Sequence, residues 1–193
     1  MADQHSPEDA GTASFLLEMG MLKRAKRSGW WIAGVKDPET IAEHSWRTAV
    51  IGSVLAFMEG ADPAKVALLC TFHDTQETRV GDIPWIGRRY LSAASNEAVT
   101  ADQVADAHPA VSDGLRALID EYEHGDSLDV LIAHDADRLE CTIHGIEYLQ
   151  QGYPAAREWV DSTKAKLKTA AAQALAEAAL NMPIAEWQRT YLR

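Results

Sequence analysis

Two imidazoles and several carboxylates in this chain sit where ordinary core packing would place neither. Between Asp62 and Gly81, the residues Val66, Leu69, Cys70, His73, Glu77 and Val80 recur at helical spacing on one face, with Asp74 beside them. Four of those six are apolar, so the face reads as buried, and a buried carboxylate is costly unless it is paired or bound to a cation. His44 shares a face with Ile51, Leu55 and Met58, again an imidazole aimed at apolar surroundings. Its neighbours Glu43 and Arg47 read equally well as solvated. A third stretch, His134-Asp135-Ala136-Asp137-Arg138, sets two carboxylates into an otherwise apolar helix. Asp135 falls on the face of Leu128, Leu131, Leu139, Thr142 and Ile146, and Asp137 on that of Val130, Cys141, His144 and Tyr148; periodicity does not choose between them.

A single buried histidine is more often a satisfied core residue than a ligand. Three helices that each present a buried polar group shift that weighting towards a metal centre. Imidazole nitrogen and carboxylate oxygen suit one divalent ion such as Mn, Co, Ni, Fe or Zn, with Mg also able to bind, and suit Ca poorly. No thiolate belongs to the set, which argues against a structural zinc knot. Adjacent residues on a regular helix diverge by roughly 100°, so His73 and Asp74 share an ion only if it lies between their directions. His134 and His144 are spare imidazoles with ordinary surface or core readings.

The elements that must position these groups are helical almost throughout. Residues 1–11 read as a loose tail or a late helix start, and 12–193 as one domain. Expected helices run over Phe15–Lys26, from Asp37-Pro38-Glu39 to Glu59 with Gly60 as its stop, and from Asp62-Pro63 to about Gly81. A short helical stretch follows at Arg88-Arg89-Tyr90, then two short helices around Pro109. A long helix capped by Ser127 runs to Gln151, an Ala-rich one over 155–180, and a tail helix follows Pro183. Alternating β-branched runs are missing. The expected fold is all-α, a single-domain bundle of about seven helices.

Composition excludes several classes of function. Of 193 residues, 47% are hydrophobic and 24% charged, which fits an ordinary globular chain. A net charge of −11 argues against nucleic acid as a partner, since backbone binding needs clustered Lys and Arg. It leaves room for a small anionic substrate, because a metal ion and two arginines make a local positive site. Cys70 and Cys141 lie among apolar residues and read as reduced, buried thiols. No apolar run of ~18 residues is present to span a membrane, and Met1–Ala13 lacks a hydrophobic signal region, so the expected compartment is the cytoplasm.

The order His44, then His73-Asp74, then Asp137 resembles the H…HD…D signature of the HD-domain superfamily of metal-dependent phosphohydrolases. The flanking text Pro38-Glu39-Thr40-Ile41-Ala42-Glu43-His44-Ser45-Trp46-Arg47 and Phe72-His73-Asp74-Thr75-Gln76-Glu77-Thr78-Arg79-Val80-Gly81-Asp82-Ile83-Pro84 is similar to the 5′-deoxynucleotidase branch, as is Lys23–Trp30 upstream. The likeness is good over 15–90, fair over 126–150 and weak elsewhere. It implies His44, His73, Asp74 and Asp137 as metal ligands, the last chosen over Asp135 because it precedes Arg138-Leu139-Glu140. It also implies Glu77 as the water-activating carboxylate, with Asp74 beside it in catalysis, and Asp82 as a substrate-site aspartate. Arg27 would hold the phosphate and Trp30 would pack on the sugar, with Trp31 a competitor for that role; apart from the resemblance, Arg88 or Arg89 reads as a further guanidinium to share the phosphoryl charge. The chain departs from the branch at Trp85-Ile86-Gly87-Arg88-Arg89-Tyr90.

The implied activity is hydrolysis of (deoxy)nucleoside 5′-monophosphates to nucleoside and phosphate, by a chain that forms homodimers. The competing enzymatic readings are an HD-type phosphodiesterase or nucleotide polyphosphate hydrolase. A binding module, a nucleotide sensor without turnover, has no need of Glu77. A metal-free core network would have to satisfy polar groups on three helices at once. The C-terminal aromatics Trp187 and Tyr191, with Leu192, read as packing against the domain or a second subunit.

Overall fold

A computed structural model describes residues 6–192. Its first helix, α1 (Pro7–Met19), starts inside the stretch expected to be loose, because Ser6 and Asp9 form a reciprocal capping box and Pro7 occupies the first turn. Residues 1–5 of that stretch lie outside the described residues. A 3₁₀ turn over Gly20–Lys23 ends the segment, and a single helical turn, α2 (Gly29–Ile32), follows. The next helix, α3 (Ile41–Glu59), begins four residues later than Asp37, since Thr40 and Glu43 cap each other's backbone groups. Residues before it stay extended: the Arg27 N–H donates to the Glu39 carbonyl and the Ile41 N–H to that of Ala25. Gly60, at φ 76°, supplies the left-handed stop.

The helix opened by Asp62, α4 (Pro63–Phe72), ends well before Gly81. Its continuation tightens into i→i+3 hydrogen bonds, Thr75 to Phe72 and Glu77 to Asp74, before a short α5 (Glu77–Val80). Then come α6 (Asn96–Gln103), α7 (Pro109–His124) and the Ser127-capped α8 (Leu128–Gln150). The expected Ala-rich helix is two, α9 (Arg157–Lys164) and α10 (Ala170–Leu180). Asp135 explains the break: fully buried on α8, it accepts the Lys168 and Thr169 N–H groups at 2.9 and 2.7 Å, and Thr169 caps α10. The tail after Pro183 forms a 3₁₀ helix, Glu186–Tyr191. Among the described residues the only β feature is an isolated bridge, Lys26 to Thr40. The architecture is all-α, with the single-turn pieces and the split at 165–169 raising the helix number above seven.

The main core lies where α3, α4 and α8 meet, around Leu55, Leu69, Ile132 and Leu139, all at zero exposure. Gly52 sets the spacing of α3 and α4: a Cβ there would stand 2.8 Å from Cys70 Sγ and 2.9 Å from Val66 Cγ1. Only glycine allows that approach in a close-packed interior. Glu18 on α1 accepts from Arg79, Thr78 and Gln103, which ties α1 to α5 and α6 and holds the chain that follows Asp74. Both cysteines are free, Cys70 buried and Cys141 half-buried. No helix among the described residues is long and apolar enough to cross a membrane.

Candidate metal centre and active-site cavity

His44 projects from the first half of α3, His73 and Asp74 from the tightened turn after α4, and Asp137 from α8. His73 and Asp74 are adjacent and diverge along the backbone, but their side-chain tips meet between those directions, within 3.2 Å of each other. His44 Nε2 lies 3.2 Å from Asp137 Oδ1 and 3.6 Å from Asp74 Oδ2, and His73 Nε2 lies 3.2 Å from Asp74 Oδ2 and 3.8 Å from Asp137 Oδ1. Both Nε2 atoms are buried and make no hydrogen bond. The opposite nitrogens are taken: His44 Nδ1 meets Glu140 Oε2 at 2.5 Å and His73 Nδ1 meets the Cys70 carbonyl at 2.7 Å. A protonated Nδ1 donating to each oxygen leaves an Nε2 lone pair aimed inward. The two orphaned imidazole nitrogens and an Asp74 oxygen lie close enough together to hold one divalent cation, with an Asp137 oxygen 3.2 Å from His44, and the donor chemistry is that of the transition-metal ions.

Electrostatics agree with that fit. Burial works to lower the pKa of His44, and Arg27 adds to this, yet Glu140 and Asp137 outweigh both and hold it at about 9. Burial works to raise Asp74, but His73, Arg27 and His44 bring it to about 2. So many carboxylates around two imidazoles demand positive charge, which protons or a metal ion can supply. Asp135, the alternative to Asp137, points elsewhere: its carboxylate is consumed at the start of α10 and by Arg138.

Behind His44 lies a network that the sequence reading did not assemble. Glu140 is fully buried and accepts from Arg47 Nε and Nη2 at 2.9 and 2.7 Å as well as facing His44. Arg47 reaches on to Glu147 at 2.8 Å, and His144 Nδ1 sits 3.0 Å from Glu39. Arg47 is thus a half-buried cross-link, whereas exposed Glu43 is spent on capping α3. The available signal was one of spacing: Glu140 follows Asp137 by one turn, and Arg47 follows His44 by one turn on the facing helix.

Beside the converging imidazoles and carboxylates opens a cavity of about 510 Å³, lined by Arg27, Asp74, Glu77, Asp82, Arg88 and Asp137 among others. Arg27 Nη1 is 3.2 Å from Asp74 Oδ2 and 3.9 Å from Asp82 Oδ1. Asp82 in turn accepts the Ser28 N–H, and Ser28 Oγ donates to the Asp82 carbonyl at 2.7 Å. Burial, then the charge of Asp74, pushes the Glu77 carboxyl up to about 8, and its Oε2 is buried without a partner. Asp74, Glu77 and Arg88 also border a second cavity of about 550 Å³ on the side of α6 and α7.

Two of the expected substrate residues are placed differently. Trp30 lines the first cavity but is only 2% exposed; its Nε1–H donates to Glu39 at 3.0 Å and its ring meets His144, Tyr148 and Trp159. Little of it is left to pack on a sugar. Its rival Trp31 is exposed and lies outside that lining. Arg89 also falls outside both linings: on the 3₁₀ turn Gly87–Arg89 it diverges from Arg88 by about a third of a revolution.

A model of the HD domain matches residues 19–179. The 5′-deoxynucleotidase HDDC2 of Danio rerio is 28% identical over 158 residues, covering 79% of this chain and 78% of its own. Among solved structures, a conserved hypothetical protein from Pyrococcus furiosus is similar at 28% identity and a TM-score of 0.71, over 89% of this chain and 100% of its own. A predicted metal-dependent phosphohydrolase from Magnetospirillum magnetotacticum is similar at 25% identity and a TM-score of 0.70, over 99% and 98%. The match spans α3, α4 and α8 with every residue of the imidazole–carboxylate cluster, and the chain belongs to the HD-domain family.

Proposed function

We propose that residues 12–193 form one metal-dependent phosphohydrolase domain that cleaves (deoxy)nucleoside 5′-monophosphates to nucleoside and phosphate. One observation carries this reading: two orphaned imidazole nitrogens converge with the Asp74 and Asp137 carboxylates, and Asp74, Asp137, Arg27 and the partnerless Glu77 line one open cavity. The activity named for the Danio rerio relative, 5′-deoxynucleotidase, supports the substrate class. The charge of −11 supports a free nucleotide over a polymer.

His44, His73, Asp74 and Asp137 would hold the cation. When bound it supplies charge neutralisation at the phosphoryl group and acidifies water. Glu77, once ionised, accepts a proton from the attacking water, whose oxygen forms the new P–O bond as the ester P–O bond breaks; the bonding pair leaves with the nucleoside 5′-oxygen, which takes up a proton from solvent. Arg27, with Arg88 on the same cavity wall, binds the phosphoryl oxygens through guanidinium N–H groups. Asp74 orients Arg27 at 3.2 Å, and Asp82 fixes the backbone that carries it through Ser28.

Chelator-stripped protein is expected to release no phosphate from dAMP, dGMP, dTMP, dUMP or AMP. Mn, Co, Ni, Zn or Mg added back should restore release, and His73→Ala should abolish it. Protein that binds metal yet releases phosphate with no pairing would remove the monophosphatase reading. The working unit is a homodimer in this proposal. Trp46, Val50 and Phe57 make an exposed apolar stripe along α3, and Trp187, Tyr191 and Leu192 are exposed at the C-terminus. Sedimentation equilibrium should give twice the chain mass, falling to one chain in Phe57→Glu; a monomeric native protein would sink the dimer.

A further inference from the structure

Trp85 is exposed over 68% of its surface, yet it lines the same cavity as Arg27, Asp74 and Glu77. It occupies the tip of a tight turn closed by the Gly87 N–H on the Pro84 carbonyl at 2.8 Å. The base of that turn is pinned, because Ser28 bonds both the Asp82 carboxylate and the Asp82 carbonyl. Ser28 adjoins Arg27, so short stretches of fixed backbone connect the phosphate-holding guanidinium to the indole. Another cavity indole, Trp159, is tilted against Trp30 with centroids 5.8 Å apart and has one face committed. A large aromatic surface left wet at a cavity mouth is available to a planar ligand.

We propose that Trp85 is a stacking platform for the nucleobase, which makes purine or pyrimidine nucleoside phosphates, rather than sugar phosphates alone, the substrates of this site. The proposal rests on the phosphohydrolase reading for the position of the phosphate. It assigns specificity to the turn at which the sequence leaves the 5′-deoxynucleotidase pattern. Every base has a π-face, and stacking on an aromatic side chain tolerates different bases. Trp85 therefore selects for a base without selecting among bases. The buried Trp30 does not provide that surface.

The test uses manganese-loaded protein and two ligands that it does not consume, deoxyadenosine and inorganic phosphate, titrated by calorimetry into wild type, Trp85→Ala and Trp85→Phe. The expected result is roughly ten-fold weaker deoxyadenosine binding in Trp85→Ala, in line with the cost of deleting a stacked ring. Phosphate binding should be unchanged, and Trp85→Phe should retain most of the affinity. Unchanged deoxyadenosine binding in Trp85→Ala, or an equal loss for both ligands, would overturn the platform. If no monophosphate is hydrolysed while deoxyadenosine binding still depends on Trp85, the hydrolase reading fails and the platform stands.

Discussion

Glu77→Gln should cost about 10²–10⁴ in turnover, the usual contribution of a positioned general base, while metal content stays that of the wild type. Glu77 is not one of the four side chains proposed to hold the cation, and its Oε2 is buried with no partner, so it is held in place for something other than packing. The amide keeps the shape and loses the basicity. Turnover assays with metal analysis on the same samples check this; activity within a few-fold of wild type would take Glu77 out of the mechanism. The pH dependence has a definite sign. With protein charges alone, burial and Asp74 push Glu77 up to about 8, and a nearby cation lowers it. A base works ionised, so the acid limb of the rate should rise through a midpoint below 8 and vanish in Glu77→Gln. In metal-free protein the folded pKa lies above the ordinary 4.5. The stability tied to the neutral carboxyl is therefore present below 4.5 and lost as pH rises through about 8.

Glu140→Ala should weaken metal binding by about 10–100-fold, the scale of losing an outer partner of a ligand histidine. It should also destabilise the fold by about 1.5–3 kcal/mol, the scale of hydrogen bonds to charged groups, because Arg47 and His44 lose the buried carboxylate they share while Arg47 keeps Glu147. Two links act together. Glu140 fixes which His44 nitrogen carries the proton, and it holds the Arg47 cross-link between α3 and α8. Glu140→Gln separates them, since a neutral amide fills the space and still offers Arg47 an oxygen. The amide should recover most of the melting temperature and less of the affinity. Equal recovery of both would mean that Glu140 serves the fold alone. Cobalt absorption during competition with a chelator reads the affinity, and thermal melts read the stability.

Much of this centre was legible because its residues violate the pattern around them. His44, His73 and Asp137 interrupt apolar helical faces, and polar groups in such places demand a reason that local sequence can state. The choice between Asp135 and Asp137 was not legible from periodicity, since both faces are apolar. Contacts with the start of α10, far along the chain, decide where Asp135 points. The end of α4 at Phe72 was hidden for a similar reason: 63–81 keeps helical spacing throughout, and the i→i+3 turns at His73–Gln76 are a tertiary choice. Trp30 shows the limit of a role assigned by position. It falls on the cavity lining, while His144 and Tyr148 of α8 and Trp159 of α9 close over its ring, contacts that a role assigned by sequence position does not contain. Arg47 reads as an ordinary solvated charge until α3 and α8 are laid side by side and Glu140 comes to face it.

Gly52 carries no functional group and touches no substrate, yet it works as the gauge of the metal centre. It sits two turns beyond His44 on α3, at the crossing with α4, whose last turn leads straight into His73 and Asp74. A methyl group there would meet Cys70 and Val66 well inside contact distance, and rigid helices would carry the displacement to both ends. The gap between His44 and His73 is thus a manufacturing tolerance set elsewhere, at a position chosen for having no side chain.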